Sequence, residues 1–110
     1  MGLFITYASY SHDGINGLLS KPEDRAGAIQ SLLDSVGGKV VALYNTTGSN
    51  DIILVSEAPD GSDVVALAMA VMASGAVARA ETVRAWTSED FTAIVEKAAG
   101  LTGAYKPPGG

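Results

Sequence analysis

Branched and aromatic residues gather along the chain in four short runs, and the polar segments between them carry helix and turn signals. The first run, LFITYASY from Leu3 to Tyr10, predicts a strand, and SHDGING behind it reads as a polar, Gly-bearing turn. Ser20-Lys21-Pro22-Glu23 fits a capping box, with Ser20 as cap, Pro22 inside the first turn and Glu23 reaching back. The helix that follows places Ala26, Ile29, Leu33 and Val36 on one face and ends at Gly37-Gly38. Two strands come next, Lys39 to Thr46 and Asp51 to Glu57, joined by the TGSN turn as a hairpin. A second helix from about Ser62 to Ser74 ends at Gly75, and Ala76 to Trp86 predicts a fourth strand. TSED then starts a short third helix with Phe91, Ile94, Val95 and Ala98 at helical spacing, so one domain covers residues 1–98 and a Gly/Pro-rich tail residues 99–110.

The order β-α-β-β-α-β plus a helix predicts an α+β, ferredoxin-like fold. Its sheet is antiparallel overall, with strands one and three side by side in the middle, that central pair expected to be parallel. A sheet covered on one face by helices should alternate apolar with polar residues. This one does not. Leu3, Ile5 and Tyr7 oppose Phe4, Ala8 and Tyr10; Val41 and Leu43 oppose Val40, Ala42 and Tyr44; Ile53 and Val55 oppose Ile52 and Leu54. Leaving about six large side chains wet costs on the order of 5–10 kcal/mol, comparable with the stability of a whole domain. A second copy packed sheet to sheet would cover them and close a dimeric barrel, so a homodimer or an assembly of dimers is expected. Lys and Arg stems or the C-terminal tail are the alternative cover. VVALAMAVMA, Val64 to Ala73, is apolar all round, which suits either a buried helix or a further subunit contact.

Composition narrows the partners. Apolar residues make up 47% of the chain and charged residues 17%, below the ~25% of an average domain. A net charge of −5 without a Lys/Arg cluster argues against nucleic acid. The absence of cysteine removes disulfides, thiolate metal sites and thiol catalysis, and fits a cytoplasmic protein. MGLFITYASY lacks the basic start and long apolar core of a signal peptide, and the apolar run from Val64 is too short to cross a bilayer, so no membrane partner is expected.

Three stretches, TYASYSHDGINGL, RAGAIQSLLDSVGGKVVALYNTTGSNDIILVSEAPD and ARAETVRAWTSEDF, together resemble the GYD-domain family of small bacterial dimeric α+β barrel proteins. The Gly-Gly-Lys before strand two, EAPD after strand three and the end of strand four carry the resemblance most specifically. The family's signature, a Gly and then Tyr-Asp in the hairpin, stands here as Gly48-Ser49-Asn50-Asp51, with Asn50 in the tyrosine's place. The resemblance implies the fold and dimerisation. The wider superfamily spans cofactor-free monooxygenases, muconolactone-type isomerases, haem enzymes and regulatory domains, so it implies no single activity.

His12, the only histidine, is the candidate acid/base, with Asp13 beside it but unable to face it. It could also serve as an axial haem ligand, but nothing else in the chain supports a haem pocket, and no cofactor or metal is expected. Tyr7, Tyr10 and Tyr44 are candidate binders of a phenolic or quinone-like ligand between sheet and helices, or else core phenols. Asn50 and Asp51 are candidates at the hairpin, where turn chemistry also explains them. Arg84 shares a side with Thr82 and Trp86 and could meet an anion, while Arg79, Glu81 and Arg84 together suit edge protection of the fourth strand. No phosphate loop, HExxH or nucleophile elbow is present. Two functions follow. One is a non-catalytic module that binds a small apolar or aromatic molecule or builds an oligomer. The other is a cofactor-independent monooxygenase or isomerase with His12 as acid/base.

Overall fold

The computed structural model describes residues 1–110 and places β1 at Gly2–Tyr10, β2 at Lys39–Asn45, β3 at Ile52–Ala58 and β4 at Val77–Ala85. The helices are α1 (His12–Ser20), α2 (Ala26–Asp34), α3 (Gly61–Ala73) and α4 (Ser88–Ala99), followed by a 3₁₀ turn at Thr102–Ala104. The strands form one sheet in the order β2-β3-β1-β4, and every neighbouring pair is antiparallel. The fold is α+β and ferredoxin-like, as the element order predicts.

Three expectations are corrected. The central pair β1 and β3 is antiparallel, Ile5 opposite Val55. The β2–β3 hairpin reverses the chain, so β3 enters the middle of the sheet antiparallel to both its neighbours. SHDGING is not a turn but the first part of α1, where Ile15, Leu18 and Leu19 repeat at helical spacing. Ser11 caps it: the Gly14 N–H donates to its Oγ at 3.0 Å, its own N–H donates to the Ala76 carbonyl at 2.9 Å, and its hydroxyl donates to the Gly75 carbonyl. Ser20 therefore ends α1 rather than capping α2. The chain restarts as a helix only after Pro22, where Asp24 Oδ1 accepts from the Ala26 N–H at 2.9 Å.

Alternation along the paired strands separates the two faces of the sheet. Phe4, Thr6 and Ala8 share the helix-covered face with Leu54, Ser56 and Thr82. Leu3, Ile5 and Tyr7 share the other with Ile53, Val55 and Val83. A bulge at Val41 shifts the register of β2, so that Val40 pairs with Ser56 but Ala42 with Val55. Val40 thus parts company with Ala42 and Tyr44, which lie on the open face, while Leu43 turns toward the helices. No other element covers the open face, and Tyr44 remains 61% exposed.

The tightest packing joins Phe4, Ala58 and Val64, with Leu33 of α2 buried nearby. Beyond that the subunit is open. Its radius of gyration is 17.7 Å, against about 13 Å for a compact chain of this length. Its accessible surface is 7321 Å², about 1,600 Å² more than a compact monomer of its mass exposes. On α3, Val64, Leu67 and Val71 turn inward, while Val65, Met69 and Met72 face outward, Met69 at 67% exposure.

Asp60 heads α3 in an extended conformation. The Ser62 hydroxyl, which donates to Asp60 Oδ2 at 2.6 Å, and then the Gly61 N–H hold its carboxyl below the usual aspartate value of 3.8. A carboxylate with a lowered folded pKa adds stability that is complete above its unfolded pKa and vanishes as pH falls through the folded one. Asp60→Asn is expected to flatten that part of the acid-unfolding profile, read as the thermal midpoint from about pH 5 down to about pH 2.

Candidate functional site

Between the inner sheet face and the first three helices lies a cavity of about 1040 Å³, open at one side. Its floor is Thr6 and Ala8 of β1 with Leu54, Ala80 and Thr82. Its walls are Leu18 of α1, Ile29 of α2 and Leu67 and Val71 of α3. Beside it Gly14, in the first turn of α1, approaches the Ala76 carbonyl, and Gly38, after α2, approaches the Glu57 carbonyl, both too closely for any side chain. Midway along α2, Gln30 Oε1 accepts from the Val40 N–H at 2.9 Å.

The lining is apolar in the main. Thr6 and Thr82, directly opposite across β1 and β4, share a hydroxyl hydrogen bond of 2.9 Å on the floor. Tyr10, Asn45, Ser56 and Ser74 also line the space, as do the charged Asp13, Lys21, Glu23, Asp24 and Arg25 on α1 and the loop to α2. Each threonine hydroxyl keeps acceptor capacity, and one of the pair must donate to the other. A mostly apolar hollow with one such pair suits a small apolar molecule bearing a single hydroxyl or carbonyl.

The sequence candidates are dispersed over this framework. Tyr10 lines the cavity; Tyr7 and Tyr44 flank Ile53 on the open face instead. His12 is exposed in the first turn of α1, its Nε2 3.1 Å from Asn16 Nδ2, and is not a lining residue, although Asp13 is. Asn50 and Asp51 hold the hairpin onto the sheet: Asp51 Oδ2 accepts from the Tyr10 N–H at 2.9 Å. The Asp51 N–H donates to the Ala8 carbonyl, also at 2.9 Å. Arg79 donates to Asn50 Oδ1 at 2.8 Å, to the Ser49 carbonyl at 2.6 Å and to Ser9 Oγ at 3.1 Å.

Arg84 and Trp86 do come together, though away from the cavity. The guanidinium lies 5.5 Å from the Phe4 ring centre and 4.6 Å from that of Trp86, and it donates to the carbonyls of Leu3 (3.0 Å) and Ala85. Both border a smaller recess of about 320 Å³ at one end of the open face, with Leu3, Val41 and Val55. Thr6 and Thr82 were missed in the sequence. Their signal was a polar residue between Phe4 and Ala8 on the inner parity of β1, facing another on the edge strand.

The family model of the GYD domain matches residues 4–95 of the chain. The chain belongs to the GYD-domain family. In this GYD-domain protein Asn50, in the Gly48–Asp51 turn, takes the Arg79 guanidinium. No curated protein matches the chain. No His, Asp or Glu side chains gather in threes as metal ligands would, and no helix is long and apolar enough to cross a membrane.

Proposed function

We propose that this GYD-domain protein is a homo-oligomeric binding module. Two copies pair through the open sheet face into a barrel, and each takes a small, largely apolar molecule into the cavity between sheet and helices. The cavity carries the binding part of this reading: about 1040 Å³ with one hydroxyl pair on its floor is ample for a single-ring ligand. The uncovered apolar face and the excess surface support the pairing. The outward stripe Val65, Met69 and Met72 on α3 offers a second contact for an assembly of dimers.

A neutral naphthylamine dye is expected to bind saturably, one per chain. Ala80→Trp, which fills the floor, is expected to weaken it at least about tenfold. Thr6→Val combined with Thr82→Val is expected to leave stability nearly unchanged, because both partners of the bond are removed together. It should weaken binding of a hydroxylated analogue and spare the plain hydrocarbon. Dye binding indifferent to Ala80→Trp would place the ligand elsewhere. Turnover of a phenolic substrate that disappears in His12→Ala would replace this reading with the enzymatic one.

A further inference from the structure

Helix α4 is well capped yet unpartnered. Thr87 Oγ1 accepts from the Asp90 N–H at 3.1 Å, Glu89 and Asp90 occupy its first turn and Lys97 its last. Phe91, Ile94, Val95 and Ala98 form an apolar stripe that Leu101 extends, with Phe91 46% and Val95 53% exposed. No sizeable packing joins α4 to the sheet or to another helix. Helices shorter than about 12–15 residues are marginal in water unless a tertiary contact covers their apolar side. This stripe therefore needs a surface that its own subunit does not provide.

The root of the helix is fixed at the end of the open face. Trp86 stacks on the Arg84 guanidinium, Phe91 tilts against Trp86 at 6.5 Å between ring centres, and Thr87 and Asp90 border the recess beside Leu3 and Val55. The molecule measures 60 Å in its longest dimension. The excess surface of about 1,600 Å² is roughly twice what each partner gives to a standard interface. That is enough for a sheet face and an arm together.

We propose that α4 is an exchanged arm: in the dimer each α4 lays the stripe Phe91, Ile94 and Val95 on the second copy, beside the paired sheet faces. This rests on the sheet-face pairing proposed above and adds a second, separable part to the interface. The arms then act as a clasp, two per dimer, related by its two-fold axis.

Two measurements on the full chain test it. Phe91→Asp with Val95→Asp removes the stripe at positions that are exposed within the subunit. The double variant is expected to weaken the dimer dissociation constant at least about 100-fold in light-scattering dilution series. Because the chain has no cysteine, Val95→Cys gives a single thiol for a benzophenone label. Photolysis of a mixture of isotope-labelled and unlabelled chains is expected to give adducts that join two chains. Adducts confined to one chain, with the double variant still dimeric, would overturn the clasp while leaving the sheet-face dimer standing. A wild-type chain that is monomeric throughout would overturn both.

Discussion

Ile5→Glu is expected to turn the assembly into monomers while leaving the subunit folded. Ile5 occupies the middle of β1 on the open face, with Val55 on one side and Val83 on the other. In an isolated subunit a glutamate there keeps its carboxylate in water, and the loss is a fraction of the ~1 kcal/mol span of strand propensities. Against a partner's sheet the same carboxylate must be desolvated without a counter-charge, which costs several kcal/mol and falls twice on a symmetric interface. The expected result in dilution series is a dissociation constant raised at least about a thousandfold, with far-ultraviolet circular dichroism unchanged. An unchanged assembly would mean that the open face is not the interface. An unfolded variant would mean that the face is covered within the subunit.

The second large effect comes from one substitution made twice on one helix. A Cβ on Gly14 would lie 2.1 Å from the Ala76 carbonyl oxygen, a backbone atom already accepting from the Ser11 N–H at 2.9 Å. Neither side can yield without breaking the corner that joins α1 to β4, so Gly14→Ala is expected to cost about 2–4 kcal/mol. A Cβ on Gly17 meets nothing within 4 Å. Gly17→Ala is expected to gain about 0.5–1 kcal/mol from helix propensity alone. Thermal unfolding of the two variants under the same conditions reads both signs. Gly14→Ala is further expected to loosen the cavity and weaken dye binding, since Gly14 seats the helix that forms one wall.

The same two glycines explain why α1 was illegible in the sequence. Gly14 and Gly17 break the helical pattern of Ile15, Leu18 and Leu19 and read as turn residues. One of them is required by a close approach that only the folded chain reveals. The strands were plain, because runs of branched residues bounded by Gly, Asn and Pro admit few other readings. The direction of the central pair followed from the hairpin rather than from adjacency alone, and the bulge at Val41 has no signal of its own in VVALYN.

The candidate site was less legible than the fold. Sequence parity separates Tyr7 from Tyr10, and only Tyr10 reaches the cavity. Arg84 and Trp86 were rightly joined, but at the end of the sheet outside the cavity, where Arg84 pairs with Phe4 and carbonyls and rings occupy the guanidinium. Chemistry-bearing residue types drew attention to His12 and the hairpin, whereas the polar pair inside the cavity consists of two ordinary threonines. Their pairing depends on the register between β1 and β4, residues far apart in the chain.

The most direct measurement is native mass spectrometry of the protein purified without a denaturing step, followed by denaturation of the same sample. Subunits that leave one apolar sheet face open and enclose a hydroxyl-floored hollow should appear as an assembly of even copy number. Each chain should carry a small apolar molecule that denaturation releases. A bare monomer at micromolar concentration would contradict both the pairing of the sheets and the purpose assigned to the cavity.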